Sequence, residues 1–183
     1  MSQPLPSLLV AASARCNRAL ASVSGLAIAL MMVAGAVDIL LTNIDVVGLP
    51  STPVPGATEF IATMMVVAVF LGVPLAQQRR GHIQVDLVTQ RMPAPLRSAC
   101  LLLSHSLSTL MFAGIAWFGW KTTAHAWSVG EFAAGSFDLP LWPARMALAL
   151  GSTMMVLQCL LDLLGEFVPS LRPPRGPAMR AFD

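Results

Sequence analysis

At 183 residues, 56% of them hydrophobic and only 11% charged, the chain carries more apolar side chain than so small a globule can hide from water, because a small protein has too much surface for its volume. A water-soluble core is excluded, and lipid has to be part of the solvent. The formal charge of +2 sits almost wholly in short segments beside apolar runs, a pattern of membrane topology and not the basic face of a nucleic-acid binder.

In chain order, the residues before Arg15 include Pro4 and Pro6 and predict a short flexible lead-in. Four apolar stretches follow, at about 19–41, 57–76, 99–120 and 140–164. Each has close to the ~20 residues that cross a ~30 Å hydrocarbon core as a helix. Backbone in lipid must satisfy its own hydrogen bonds, so uninterrupted apolar runs predict helices and an all-α fold with one four-helix membrane domain. The first run continues past the small-x-small tripeptide Ala34-Gly35-Ala36 to Leu41, so it reads as a span and not as a cleaved signal peptide.

Basic residues set the predicted orientation. Arg15 and Arg18 precede the first span; Arg79, Arg80, Arg91 and Arg97 lie in the connection over 77–98; Arg172, Arg175 and Arg180 follow the fourth. Only Lys121 and Arg145 flank the other side, and the segment over 42–56 has no basic residue. The positive-inside rule then puts both termini and the 77–98 loop in the cytoplasm and the other two loops outside. Trp117, Trp120, Trp127 and Trp142 gather around the second outer loop, where indoles favour the headgroup layer. The tail over 169–183, with Pro173, Pro174 and Pro177 among its arginines, is expected to be disordered and drawn to anionic lipid.

The 77–98 loop holds the string Arg79-Arg80-Gly81-His82-Ile83-Gln84-Val85-Asp86-Leu87-Val88. As a helix over 82–92 it would place His82, Asp86, Thr89 and Gln90 on one arc and most of its large apolar residues on the other, lying in the interface plane. Gly81 would permit the turn out of the second span, and Arg79 and Arg80 would sit at phosphate level. His82 and Asp86, four residues apart, could bond each other or a partner subunit.

This string, directly after a span ending Phe70-Leu71-Gly72-Val73-Pro74-Leu75-Ala76-Gln77, resembles the signature of the small membrane subunit of tripartite ATP-independent periplasmic (TRAP) transporters, the DctQ-type family. Thr58-Glu59-Phe60 at the start of the second span, Gly72 near its end, and Leu139-Pro140-Leu141-Trp142 opening the fourth agree with it. The resemblance implies an inner-membrane, non-catalytic scaffold. Its implied partners are a large membrane subunit and a periplasmic solute-binding protein, in a complex that imports an organic acid or similar solute, driven by an ion gradient. It marks Glu59, Arg79, Arg80, Gly81, His82, Val85, Asp86 and Trp142 as motif or subunit-interface residues.

The remaining polar residues are read from their depth. Asp38, Glu59 and Asp162 lie within about two turns of a predicted boundary and none at the midplane. Glu59, in the first turn of the second span, is favoured by the helix dipole and is expected to cap it or meet a partner. Gln158, the serines Ser104, Ser106 and Ser108, and the small residues Ala21, Gly25, Ala29, Ala147 and Gly151 are expected at helix contacts. His105 and His125 are about 30 Å apart along one span and cannot face each other across a haem. Cys16, Cys100 and Cys159 form no C-x-x-C pair, so no cofactor or metal is expected. The alternative readings are a membrane anchor of a quinone-linked respiratory enzyme, which a bound haem or quinone would favour, and a small homo-oligomeric exporter, which would need a charge at mid-membrane.

Overall fold

The computed structural model describes residues 5–79, 93–133, 135 and 138–167. Among these the fold is all-helical, with four helices long and apolar enough to cross a membrane: α1 (Leu5–Thr42), α2 (Ala57–Gln78), α3 (Ala94–Val129) and α4 (Trp142–Phe167).

Two helices run well past the apolar stretches. The stretch before Arg15, expected as an irregular lead-in, is the first turns of α1. Pro6 falls in the first turn, where its missing N–H breaks no bond, and the Leu- and Ala-rich residues that follow are good helix formers. At 38 residues, α1 is about 57 Å long. Likewise α3 continues beyond Trp120 to Val129 and stops at Gly130, whose φ of 62° is left-handed and suits a glycine. Pro93 caps its other end, with Pro95 in the first turn, again where proline is tolerated.

In space the helices stand in the order α1, α2, α4, α3: α1 packs on α2, α2 on α4 and α4 on α3. Helices consecutive in the chain run antiparallel, so that α2 and α4 are parallel neighbours, and the start of α1, the end of α2 and the end of α4 come to one end of the bundle, here the terminal end. The two short connections lie at the other, the loop end. Only 11% of the apolar span of α1 and 6% of that of α3 is buried, against 50% of that of α4. The core is therefore a seam around α4, and α1 and α3 are edge helices whose Leu26, Met32, Val33, Leu40, Leu103, Leu107 and Leu110 face outward.

Small residues make the seam. A Cβ added at Gly151 of α4 would strike the backbone carbonyl of Phe70 in α2. That carbonyl has no α-helical donor of its own, because Pro74 stands four residues on and lacks an N–H. On the other side of α4, a Cβ at Gly119 of α3 would come within 2.8 Å of Leu148 and 3.2 Å of the Ala149 backbone. Ala144, Ala147 and Ala149 are buried along the same helix. Contacts this close are what hold helices together in lipid, where burying large apolar groups gains nothing over leaving them in acyl chains.

Candidate functional site

The terminal end carries a buried polar network. Asn17 of α1 donates through Nδ2 to Oε1 of Gln78 in α2 and to Oε1 of Gln158 in α4, each at 3.2 Å. Gln158 donates in turn through Nε2 to Oδ1 of Asp162 at 3.2 Å, and Gln77 of α2 donates to the other carboxylate oxygen at 3.1 Å. Asn17, Gln158 and Asp162 are 1%, 2% and 6% exposed. The bonds from Asn17 through Gln158, and the bond from Gln77, run toward the Asp162 carboxylate, while the Asn17–Gln78 bond branches to α2, and together they tie α1, α2 and α4 at one level. Asn17 Oδ1 and the hydroxyl of Ser152 are buried and have no hydrogen-bond partner among the described residues.

The loop end is held differently. Arg145 at the start of α4 makes a two-pronged ion pair with Glu131 (2.6 and 2.7 Å) and also reaches the Thr122 carbonyl at 3.3 Å. Trp127 meets Trp142 edge to face, centroids 4.9 Å apart, and Trp120 Nε1 donates to Thr153 at 3.1 Å. The Lys121 ammonium lies 5.3 Å from the centre of the Trp117 ring. Ala133 and Leu139 are joined by a 2.8 Å backbone bond that closes the loop. On the other connection, the Asp38 carboxylate accepts the Val54 N–H at 2.9 Å, folding the loop back onto α1. An apolar cavity of about 340 Å³ opens between them, lined by Ala34, Val37, Val54, Phe60 and Leu139 among others.

The residues singled out from sequence are dispersed through this framework. Glu59 is in the first turn of α2 without a capping bond; its carboxylate lies against Gly135 of the α3–α4 connection, at the loop end of the α2–α4 seam. Trp142 opens α4 and packs on Trp127. Arg79 terminates α2 and is exposed. Arg80, Gly81, His82, Val85 and Asp86, with the expected interfacial segment, lie outside the described residues, as does the tail expected to be disordered.

Gln158, Ala147 and Gly151 are at helix contacts as expected. Ser104 and Ser106 are exposed on α3, and Gly25 and Ala29 on α1, with nothing near a Cβ at Gly25; among the described residues these positions are turned away from the helix contacts. The sequence reading missed Asn17, Gln77 and Gln78. Asn17 stands between the two arginines just before the first expected span, and the glutamines stand at the start of the expected loop, and none of the three is assigned a contact from sequence. The available signal was that amides or a carboxylate fall near the same end of three separate spans.

The family model described as "Tripartite ATP-independent periplasmic transporters, DctQ component" matches residues 38–168, from the last turn of α1 through α4. No curated protein matches the chain. With four membrane-crossing helices and a family match over most of its length, the chain belongs to the DctQ family, the small multi-pass membrane component of TRAP transporters of the inner membrane.

Proposed function

We propose that this chain is a non-catalytic scaffold that clasps a large membrane subunit, in a complex importing an organic acid or similar solute with a periplasmic solute-binding protein and an ion gradient. The observation that carries the reading is the poor burial of the edge helices. Only about a tenth or less of the apolar spans of α1 and α3 is buried, while close contacts of α4 and the amide network tie the helices together. A broad, stiff, apolar row of helices suits a part that widens and steadies a larger membrane protein. The arginine distribution supports both termini lying in the cytoplasm, so that the amide network sits at the cytoplasmic side and Glu59, Trp142 and the ion pair face the periplasm. The motif residues Arg80, Gly81, His82, Val85 and Asp86 are proposed to meet the large subunit at the cytoplasmic face.

Purification of the tagged chain in mild detergent, with mass spectrometry of what accompanies it, tests this. The expected result is a multi-span membrane protein in equal amount, lost on Ile83→Glu with Val85→Glu. A chain recovered alone, or with a haem or flavin protein, overturns the reading and favours the respiratory anchor.

A further inference from the structure

We infer that the α1–α2 seam carries a binding site for an anionic phospholipid at the terminal end, on the face turned away from α4. The amide bonds fix where this face is. Gln78 points at Asn17 of α1, and Gln77 points at Asp162 of α4. Each helical residue advances about 100° around the axis, so Arg79, one step beyond Gln78 in the sense opposite to Gln77, emerges on the face of α2 away from α4. On α1, which runs antiparallel, one step past Asn17 puts Arg18 on that same face, and Arg15, three residues earlier, lies beside it. Because Asn17 and Gln78 are bonded, the three arginines share a level to within about 5 Å along the bundle.

All three are exposed, and none has an acidic partner among the described residues. Arg18 donates through Nε to the Ala14 carbonyl at 3.2 Å, which runs its side chain back toward the turn of Arg15. Three guanidiniums without an acidic partner among the described residues, at the end of two apolar spans, suit a phosphate, which guanidinium binds two-pronged.

The surface beside them favours a lipid phosphate over a free one. From Arg18 the same stripe of α1 continues through Ser22, Gly25 and Ala29, all exposed, and a Cβ at Gly25 would meet nothing within 4 Å. These small residues leave an open track leading from the arginines into the span, against which an acyl chain could lie. The site does not rest on the scaffold reading, because it is built from this chain alone.

Native mass spectrometry of the delipidated full chain tests the inference, by titration with dioleoylphosphatidylglycerol, dioleoylphosphatidylcholine and inorganic phosphate. Phosphatidylglycerol is expected to be retained in preference to phosphatidylcholine, and each of Arg15→Gln, Arg18→Gln and Arg79→Gln is expected to weaken it about fivefold. Gly25→Leu, which the open space accommodates, should weaken the lipid further without touching phosphate binding. A triple Arg172→Gln, Arg175→Gln, Arg180→Gln variant, equal in charge removed, should retain it. Equal retention of the two lipids, loss in the tail variant but not in the seam variants, or inorganic phosphate bound as tightly as phosphatidylglycerol, overturns the site. Circular dichroism of each variant identifies any loss that comes from unfolding, and the Gly25→Leu result then decides.

Discussion

α4 and α1 are similar apolar helices by composition, yet half of the α4 span is buried and only about a tenth of that of α1. What separates them is where their small and polar residues stand. α4 places Ala144, Ala147, Ala149, Gly151, Ser152, Gln158 and Cys159 inside, whereas α1 turns Leu26, Met32, Val33 and Leu40 outward. In lipid a large apolar side chain gains nothing by leaving the acyl chains, so interiors go to residues that allow close backbone approach or that bond across helices. α1 obeys the same rule at its own contacts: Asn17 and Ser24 are its buried anchors, Ser24 donating to the Ala68 carbonyl at 2.6 Å.

That contrast can be broken at α4 and left intact at α1. The largest effect is expected from Gly151→Leu, which forces a side chain into the Phe70 carbonyl. It should destabilise the bundle by about 3 kcal/mol or more, read by unfolding in mixed micelles. Next comes Gln158→Leu, which leaves the Asp162 carboxylate and the Asn17 amide each short of a buried bond; about 1–2 kcal/mol is expected by the same measurement. Arg145→Gln removes an ion pair whose side chains are about a third exposed. A loss of about 0.5 kcal/mol that shrinks as salt rises is expected, because water screens it. The smallest effect is expected from Leu26→Ala on the outward face of α1, within about 0.5 kcal/mol; a loss as large as that at Gly151 would show that α1 is not an edge helix.

The number of spans and the helical fold were legible in the sequence because length and hydropathy alone decide which segments can cross lipid. The family was legible in ten residues of one loop. Helix ends were not, since hydropathy marks where lipid ends and not where the helix does: α1 begins at Leu5 and α3 continues to Val129 through polar and aromatic residues that still favour helix. The packing faces were half legible. Gln158 and Gly151 stood out as polar or small in mid-span, but Gly25 and Ala29 looked alike in sequence and face outward, because only the order of the helices in space decides which stripe is covered. The amide network was invisible for the same reason: Asn17, Gln77 and Asp162 are far apart in sequence and meet only once α1, α2 and α4 are placed side by side.

The most direct test of the account is site-specific photocrosslinking in native membranes, with a photoreactive residue placed in turn at Leu26, Met32, Leu107 and Leu110 on the edge helices and at Ala149 in the α4 seam. The account predicts adducts to one large multi-span membrane protein from at least one edge position and only intrachain adducts from Ala149. No adduct beyond lipid at any edge position, or a partner captured from Ala149 alone, would contradict it.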